Sequence, residues 1–223
     1  MSANSKELGI ALKKYIDNRA DGKEELRQLL QQKSSVDNKY SLLMDVRGDK
    51  YGSITGPHIA AKYNDLETMK YMLKEFTFDQ KYDLLKIKGG KSGLSALHYA
   101  ARNNRSLIIT CLLTDFSQQQ KYSLLQLQDE DGYTPLHRAA HEQKLEAVQA
   151  ILTSLSLQQQ IKLLNIKSKK GQTVTDIRPE IYKEYPVLIR LGIVILHIFT
   201  NNILLTPELT PSLLVKKFLC AWF

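Results

Sequence analysis

The sequence predicts an all-α solenoid, a stack of helical units joined by short hairpin loops. Three observations predict it. First, the segment Asp131-Gly132-Tyr133-Thr134-Pro135-Leu136-His137-Arg138-Ala139-Ala140 recurs upstream, as Ser92 to Ala101 and, in shorter form, as Thr55-Gly56-Pro57-His58-Ile59-Ala60-Ala61. A decayed copy follows at Gly171-Gln172-Thr173-Val174-Thr175-Asp176. The interval from His58 to His98 is matched within one position by that from His98 to His137 and by that from Thr134 to Thr173. A fixed period of roughly 40 residues signals stacked repeats. Second, each copy is followed by apolar residues at helical spacing. Third, a Ser/Thr-x-x-Gln box then recurs in every unit, which marks the start of one more helix.

In chain order, residues 1–36 read as two helices. Ser5 precedes a helix over Glu7 to Ile16, with Leu8, Ile10, Leu12 and Ile16 apolar, and Asp21-Gly22 breaks it. Lys23 to Lys33 follows, with Leu26, Leu29 and Leu30 on one side. A stack needs a terminal unit with one wet face, so this segment is expected to be an N-terminal cap.

Residues 37–178 hold the repeats. The Leu-His-x-Ala-Ala box begins a first helix, whose two alanines let neighbours pack closely. A second helix carries Leu66/Met69/Met72/Leu73/Phe76, Ser106/Ile109/Leu112/Leu113/Phe116 and Leu145/Val148/Ile151/Leu152/Leu155. These offsets share one helical face, which is expected to be core. Next come Thr77-Phe78-Asp79-Gln80, Ser117-Gln118-Gln119-Gln120 and Ser156-Leu157-Gln158-Gln159. In such a capping box each side chain bonds the other residue's backbone N–H. Lys81-Tyr82-Asp83-Leu84-Leu85, Lys121-Tyr122-Ser123-Leu124-Leu125 and Gln160-Ile161-Lys162-Leu163-Leu164 follow the boxes, and Lys39-Tyr40-Ser41-Leu42-Leu43 is an earlier copy weakly capped by Ser35. The expectation is an extra short helix per repeat, its Tyr/Ile and first Leu packed on the second helix. Gly93, Gly132 and Gly171 stand where a hairpin tip needs positive φ.

The Thr-Pro-Leu-His-x-Ala core resembles the ankyrin repeat family, over about residues 37–178. A period near 40 also suits HEAT, armadillo or propeller repeats. The propeller lacks its alternating strands here, and HEAT does not explain Gly and Thr ahead of the Leu-His-x-Ala-Ala box. The chain departs from the family in three places. Its repeats run to about 39–40 residues, against about 33 residues in the family. The first repeat has Gly52-Ser53-Ile54-Thr55, one residue longer than Gly-x-Thr, and no Leu before His58, which puts its hairpin in question. Asn64, Asn104 and Gln143 replace the glycine after the first helix. Asn tolerates the left-handed conformation, whereas Gln143 implies a strained or differently closed turn.

Residues 179–223 resemble nothing named. Val187 to Phe199 is the most apolar run, and it includes Arg190 and His197. It is shorter than a spanning helix, which needs about 20 predominantly apolar residues. A buried capping helix, a membrane-associated segment over 187–205 and an irregular tail stay open for this region.

The 223 residues carry a formal net charge of +8, which favours acidic partners or surfaces without specifying a fold. Cys111 and Cys220 make no disulfide or metal framework, and free thiols suit a reducing, cytoplasmic setting. No Ser-His-Asp order or Cys/His cluster appears. Gly89-Gly90-Lys91-Ser92 imitates the end of a phosphate loop but lacks its first glycine. The three repeat histidines are whole units apart, and the resemblance implies that they bond backbone groups within and between repeats rather than a metal. No enzyme activity, cofactor or metal is expected.

The hairpin charges alternate in sign. Lys86, Lys88 and Lys91 mark the second, Asp129, Glu130 and Asp131 the third, and Lys167, Lys169 and Lys170 the fourth. A nucleic-acid binder would show one continuous basic stripe, so nucleic acid is not the expected partner. The resemblance implies a monomeric, non-enzymatic scaffold or adaptor that binds a protein on the concave face of tips and first helices. Carried over by position, the contacts are Lys62 and Tyr63 in repeat one; Lys91, Ser92, Leu94, Arg102 and Asn103 in repeat two; and Glu130, Asp131, Tyr133, His141 and Glu142 in repeat three. The alternative is a membrane-associated adaptor, or a fragment of a membrane protein, anchored by residues 187–205.

Overall fold

The computed structural model describes residues 3–17, 20–31, 47–48, 52–74 and 76–179. The early copy at Lys39–Leu43, the boundary at 36/37 and the tail beyond residue 179 lie outside them. Two helices open the chain, α1 (Ala3–Ile16) and α2 (Ala20–Gln31). A two-residue antiparallel pair follows, β1 (Arg47–Gly48) with β2 (Gly52–Ser53). Repeat one then has α3 (Gly56–Tyr63), α4 (Leu66–Leu73) and α5 (Phe78–Lys86). Repeat two has α6 (Ala96–Arg102), α7 (Ser106–Leu113) and α8 (Gln118–Leu125). Repeat three has α9 (Pro135–His141), α10 (Leu145–Thr153) and α11 (Leu157–Leu164), and α12 (Val174–Ile177) opens a fourth.

The helices stack in three rows. First helices pack in the order α1, α3, α6, α9, α12, and second helices in the order α2, α4, α7, α10. The extra helices α5, α8 and α11 form the third row. The N-terminal pair thus continues the first two rows. Asp21-Gly22 does not break a helix; both lie inside α2. A Cβ on Gly22 would come within 2.5 Å of the Lys14 Cβ and 2.6 Å of the Tyr15 nitrogen. The glycine is there so that α2 can cross α1 at close range. Ser5 is likewise inside α1 rather than ahead of it. Ile10 lies on the exposed side, while Ala11, Leu12 and Tyr15 face the core with Leu26 and Leu29.

Asp65 ties this pair to the first repeat. It caps α4 by accepting from the Thr68 backbone N–H and hydroxyl at 3.2 and 2.7 Å. It also accepts from Arg27 at 2.5 Å, Lys23 at 3.1 Å and the Tyr15 hydroxyl at 3.3 Å. Burial works against its charge, but the donors from Thr68, Lys23 and Arg27 outweigh it and hold the carboxyl below its ordinary pKa.

Each first helix starts with a capping box whose N3 residue is the repeat histidine. The Thr55, Ser95 and Thr134 backbone N–H groups donate to Nδ1 of His58, His98 and His137 at 3.2, 3.1 and 3.2 Å. Nδ1 is therefore the acceptor and Nε2 carries the proton. Nε2 donates across to the next repeat, to the Leu94, Tyr133 and Gln172 carbonyls at 2.9, 2.9 and 3.3 Å. In the fourth repeat Asp176 takes the histidine's place, accepting from the Thr173 N–H at 2.8 Å. The decayed copy keeps its cap and drops only the cross-repeat donor.

The first helices end alike. Asn64, Asn104 and Gln143 sit at φ 60, 58 and 55. Asp65, Arg105 and Lys144 N–H groups close the turns onto Ala60, Ala100 and Ala139 carbonyls at 2.9, 2.8 and 2.8 Å. Gln143 thus closes like its equivalents and bears the strain of a left-handed non-glycine, roughly 1–2 kcal/mol. Asn104 does more: its Oδ1 accepts from the Ala147 N–H at 3.0 Å, capping α10 from the preceding repeat. Lys144, at the N-cap of α10, has no side-chain cap of its own.

Capping boxes Thr77/Gln80, Ser117/Gln120 and Ser156/Gln159 start the third row. Both leucines of each helix are buried, Leu84/Leu85, Leu124/Leu125 and Leu163/Leu164, not the first alone. Tyr82 and Tyr122 are half-buried against the core, and the Tyr82 ring lies 5.9 Å from that of Phe116. Gln118 joins neighbours in the row: its Oε1 accepts from the Ser156 N–H at 3.1 Å and its carbonyl from Gln159 at 3.0 Å. On the second helices, Ile108 and Ala147 join the predicted stripe, while Leu145 is 41% exposed.

Two expectations follow. Burial holds His58 and His98 down to a pKa of about 4, from 6.5, and lowers that of His137. The unfolded chain takes up protons near pH 6.5 that the folded chain refuses. The histidine contribution is therefore complete above about 6.5 and is lost as pH falls towards 4. Calorimetry from pH 7.5 to 4.5 should show the melting temperature falling through that window, with a shallower slope in His98→Gln. In the third row, Ser117→Ala should cost about 1 kcal/mol through the lost cap, and Tyr122→Ala should cost more. Hydrogen exchange over residues 117–126 should be protected in the wild type, and free-loop rates there would refute the third row's contribution.

Candidate functional site

The candidate surface is the row of hairpin tips with the exposed side of α3, α6 and α9. Gly93, Gly132 and Gly171 have φ of 61, 77 and 76, which lets the tips turn sharply. In the second tip Gly89 and Leu94 pair antiparallel, so the Gly89-Gly90-Lys91-Ser92 segment is a hairpin rather than a phosphate loop. The first hairpin, questioned on sequence, is the β1–β2 pair, with Arg47 opposite Ser53.

Adjacent tips are hydrogen-bonded to each other. The Glu130 N–H donates to the Ser92 carbonyl and the Lys169 N–H to the Asp131 carbonyl, both at 3.0 Å. A Cβ on Gly132 would meet the Lys169 nitrogen at 2.5 Å. Tips two, three and four therefore form one continuous, closely fitted row on bonded backbone.

Most predicted contacts are on this surface and exposed: Lys62, Tyr63, Lys91, Ser92, Arg102, Glu130, Asp131 and His141, with Asn103 and Glu142 half-exposed. Leu94 and Tyr133 are corrections. They are 3% and 8% exposed, because the residue ahead of each N-cap is tucked between repeats, where its carbonyl receives the histidine of the unit before. Their side chains serve packing.

The structure also brings together residues that the repeat pattern does not single out. Arg138 lies between Asp129 and Asp131, at 2.6 Å from each, with its guanidinium 4.8 Å over the Tyr133 ring. Tyr133 in turn stacks on His137 at 5.5 Å. Asp129 also accepts from the Asp131 and Tyr133 N–H groups at 2.9 and 3.0 Å. Tyr99 is the second addition. Burial raises its pKa, while nearby Lys62 and Arg102 pull it back. Arg102 approaches Glu142 to 3.6 Å, linking repeats two and three, and Lys62 stands 5.0 Å from the Tyr63 ring centre. A buried Asp at a hairpin start followed nine positions on by Arg was the available signal for the Arg138 cluster.

Chemically, the surface offers charged and hydrogen-bonding side chains on a shaped backbone. Both ring nitrogens of His58, His98 and His137 are engaged by backbone groups, so none is offered to a ligand. Among the described residues no group of three or more His, Cys, Asp or Glu could hold a metal ion. Cys111 is a free, half-buried thiol whose pKa burial raises. It lines a cleft of about 570 Å³ on the opposite side, between α4, α5 and α7, with Tyr71, Lys81 and Leu107. No described helix is long and apolar enough to cross a membrane.

The contrast between two arginines is testable. Arg138→Ala strands the buried Asp129 carboxylate and should cost about 3 kcal/mol. Arg102→Glu acts on an exposed pair and should change stability by less than about 1 kcal/mol. Denaturant unfolding of both variants checks this, and equal losses would refute the assigned roles.

Comparison with known proteins agrees with the architecture. A search among curated proteins returned no significant match. The family model for ankyrin repeats (3 copies) matches residues 20–124 and 57–163. Its span begins at α2, inside the segment read from sequence as a separate cap. Ankyrin repeats are in general protein–protein interaction modules. With the repeat histidines, the hairpin row and the paired helices all in place over the matched span, the chain belongs to the ankyrin repeat family.

Proposed function

We propose that this protein is a non-enzymatic scaffold that binds a partner protein through its hairpin tips and the exposed first-helix positions. The observation that carries this reading is the tip row itself. Backbone bonds join tips two to four, so the backbone that carries Lys91, Ser92 and Glu130 is fixed before any partner arrives, and Arg102 faces Glu142 at 3.6 Å. Binding then costs little ordering, which is what a recognition surface needs. The cytoplasm is the compartment proposed, in keeping with the free Cys111 thiol.

The test has two steps. Affinity capture with the wild-type chain, identified by mass spectrometry, supplies the partner. Calorimetric affinity is then measured for Lys91→Glu with Arg102→Glu and, separately, for Lys70→Glu with Lys74→Glu on the second helix. The tip variant should bind about ten-fold or more weakly, through electrostatic mismatch, and melt within a few degrees of the wild type. The second-helix variant should bind normally. Weakening by the second-helix variant alone would overturn the reading and move the site to the cleft between α4, α5 and α7.

A further inference from the structure

The charges on the tip row are not equivalent once their partners are counted. Among the described residues, each acid of the third tip and of α9 is engaged by a cation on the same face: Asp129 and Asp131 by Arg138, Glu142 by Arg102, and Glu130 by Lys169 at 4.0 Å. The lysines are in excess. Lys88 and Lys91 at the second tip and Lys170 at the fourth are exposed and form no ion pair among the described residues. Lys167, also at the fourth tip, is exposed and close enough to Asp176 to help lower that carboxyl's pKa. The row therefore presents two basic tips separated by a third whose acids are already compensated.

We propose that the partner is an acidic protein segment with two carboxylate clusters, one seated at Lys88/Lys91 and the other at Lys167/Lys170. This rests on the reading of the tip row as the binding face. The spacing follows from the stack. Packed helices lie roughly 8–10 Å apart, which puts tips two and four roughly 16–20 Å apart. An extended chain advances about 3.3 Å per residue, so the clusters fall about five or six residues apart. Two weak charge contacts on one chain reinforce each other through effective concentration, but only when the linker fits the span. The intervening tip argues against nucleic acid. A phosphate backbone carries charge at every step, and at the third tip it would find no cation left to neutralise it, because Arg138 and Lys169 are already taken up by Asp131 and Glu130. A protein segment can place neutral or basic residues there.

The experiment titrates three peptides and an oligonucleotide into the full chain, followed by backbone amide NMR at near-physiological salt. The split peptide is Glu-Glu-Ser-Gly-Ser-Gly-Glu-Glu. The compact control has the same composition with its four glutamates contiguous. The long control separates the two pairs with a Ser/Gly linker three times the length, well beyond the optimum for the span. The oligonucleotide is a short deoxythymidine strand of equal charge. The split peptide should bind at least ten-fold more tightly than either control and shift amides at both basic tips. Lys91→Glu and Lys170→Glu should each remove most of that advantage without weakening the compact peptide to the same degree. Equal affinity for split and compact peptides overturns the two-cluster inference, as does tighter binding of the oligonucleotide. If no peptide binds although the tip variants still weaken the captured partner, the acidic segment is wrong and the face stands. If Lys70→Glu weakens the split peptide and the tip variants do not, the face itself is wrong.

Discussion

One imidazole tautomer couples cap and stack in this protein. Nδ1 must be bare to receive the N–H at the start of its own helix, which leaves the proton on Nε2 to reach the next repeat's carbonyl. One side chain therefore serves repeat registry and, together with the Ser or Thr of its capping box, helix initiation. The first helices are only seven or eight residues long, too short to be stable alone. They persist because the cap and the cross-repeat bond act on the same turn. A charged imidazole could not accept at Nδ1, so the arrangement also requires the low pKa that burial imposes.

The third row answers a different constraint. A second helix of eight or nine residues ends near Leu73, Leu113 or Thr153 and leaves Phe76, Phe116 or Leu155 to be covered. The extra helix folds its two leucines back onto that region, joined by Tyr82 and Tyr122 in the first two repeats. The family's usual period of about 33 residues leaves no room for it, and the added residues go into this row. The extra helices pack on one another as a row of their own, and tips two to four bond directly to each other.

Much of this was legible in the sequence, because the repeat makes each inference three times over. The Leu-His-x-Ala-Ala and Ser/Thr-x-x-Gln boxes, the apolar offsets and the three tip glycines all have local causes, and the structure bears them out. What was not legible depends on contacts between units. Asp21-Gly22 looks like a break, but Gly22 is a contact point for α1, which only the crossing of two helices reveals. Leu94 and Tyr133 occupy positions that look exposed in a hairpin and are buried by the repeat stacked alongside. Asn104 reads as a turn residue and proves to cap α10 of the next unit. Arg138 escapes a repeat-based reading because its two acids lie in the hairpin ahead of its helix, and the other repeats have Ile59 and Tyr99 at its position.

The same distinction separates rigidity from recognition on the tip row. Charges that are paired internally shape the surface, since Arg138 fastens the third tip to its own helix and Arg102 reaches across to repeat three. Charges without such a partner are the ones a ligand can neutralise. A sequence shows only alternating sign along the tips, and by that measure the third tip is an acidic site awaiting a cation. Once the pairs are drawn, its acids are already answered from within the fold. What alternates along tips two to four is then compensated and uncompensated charge.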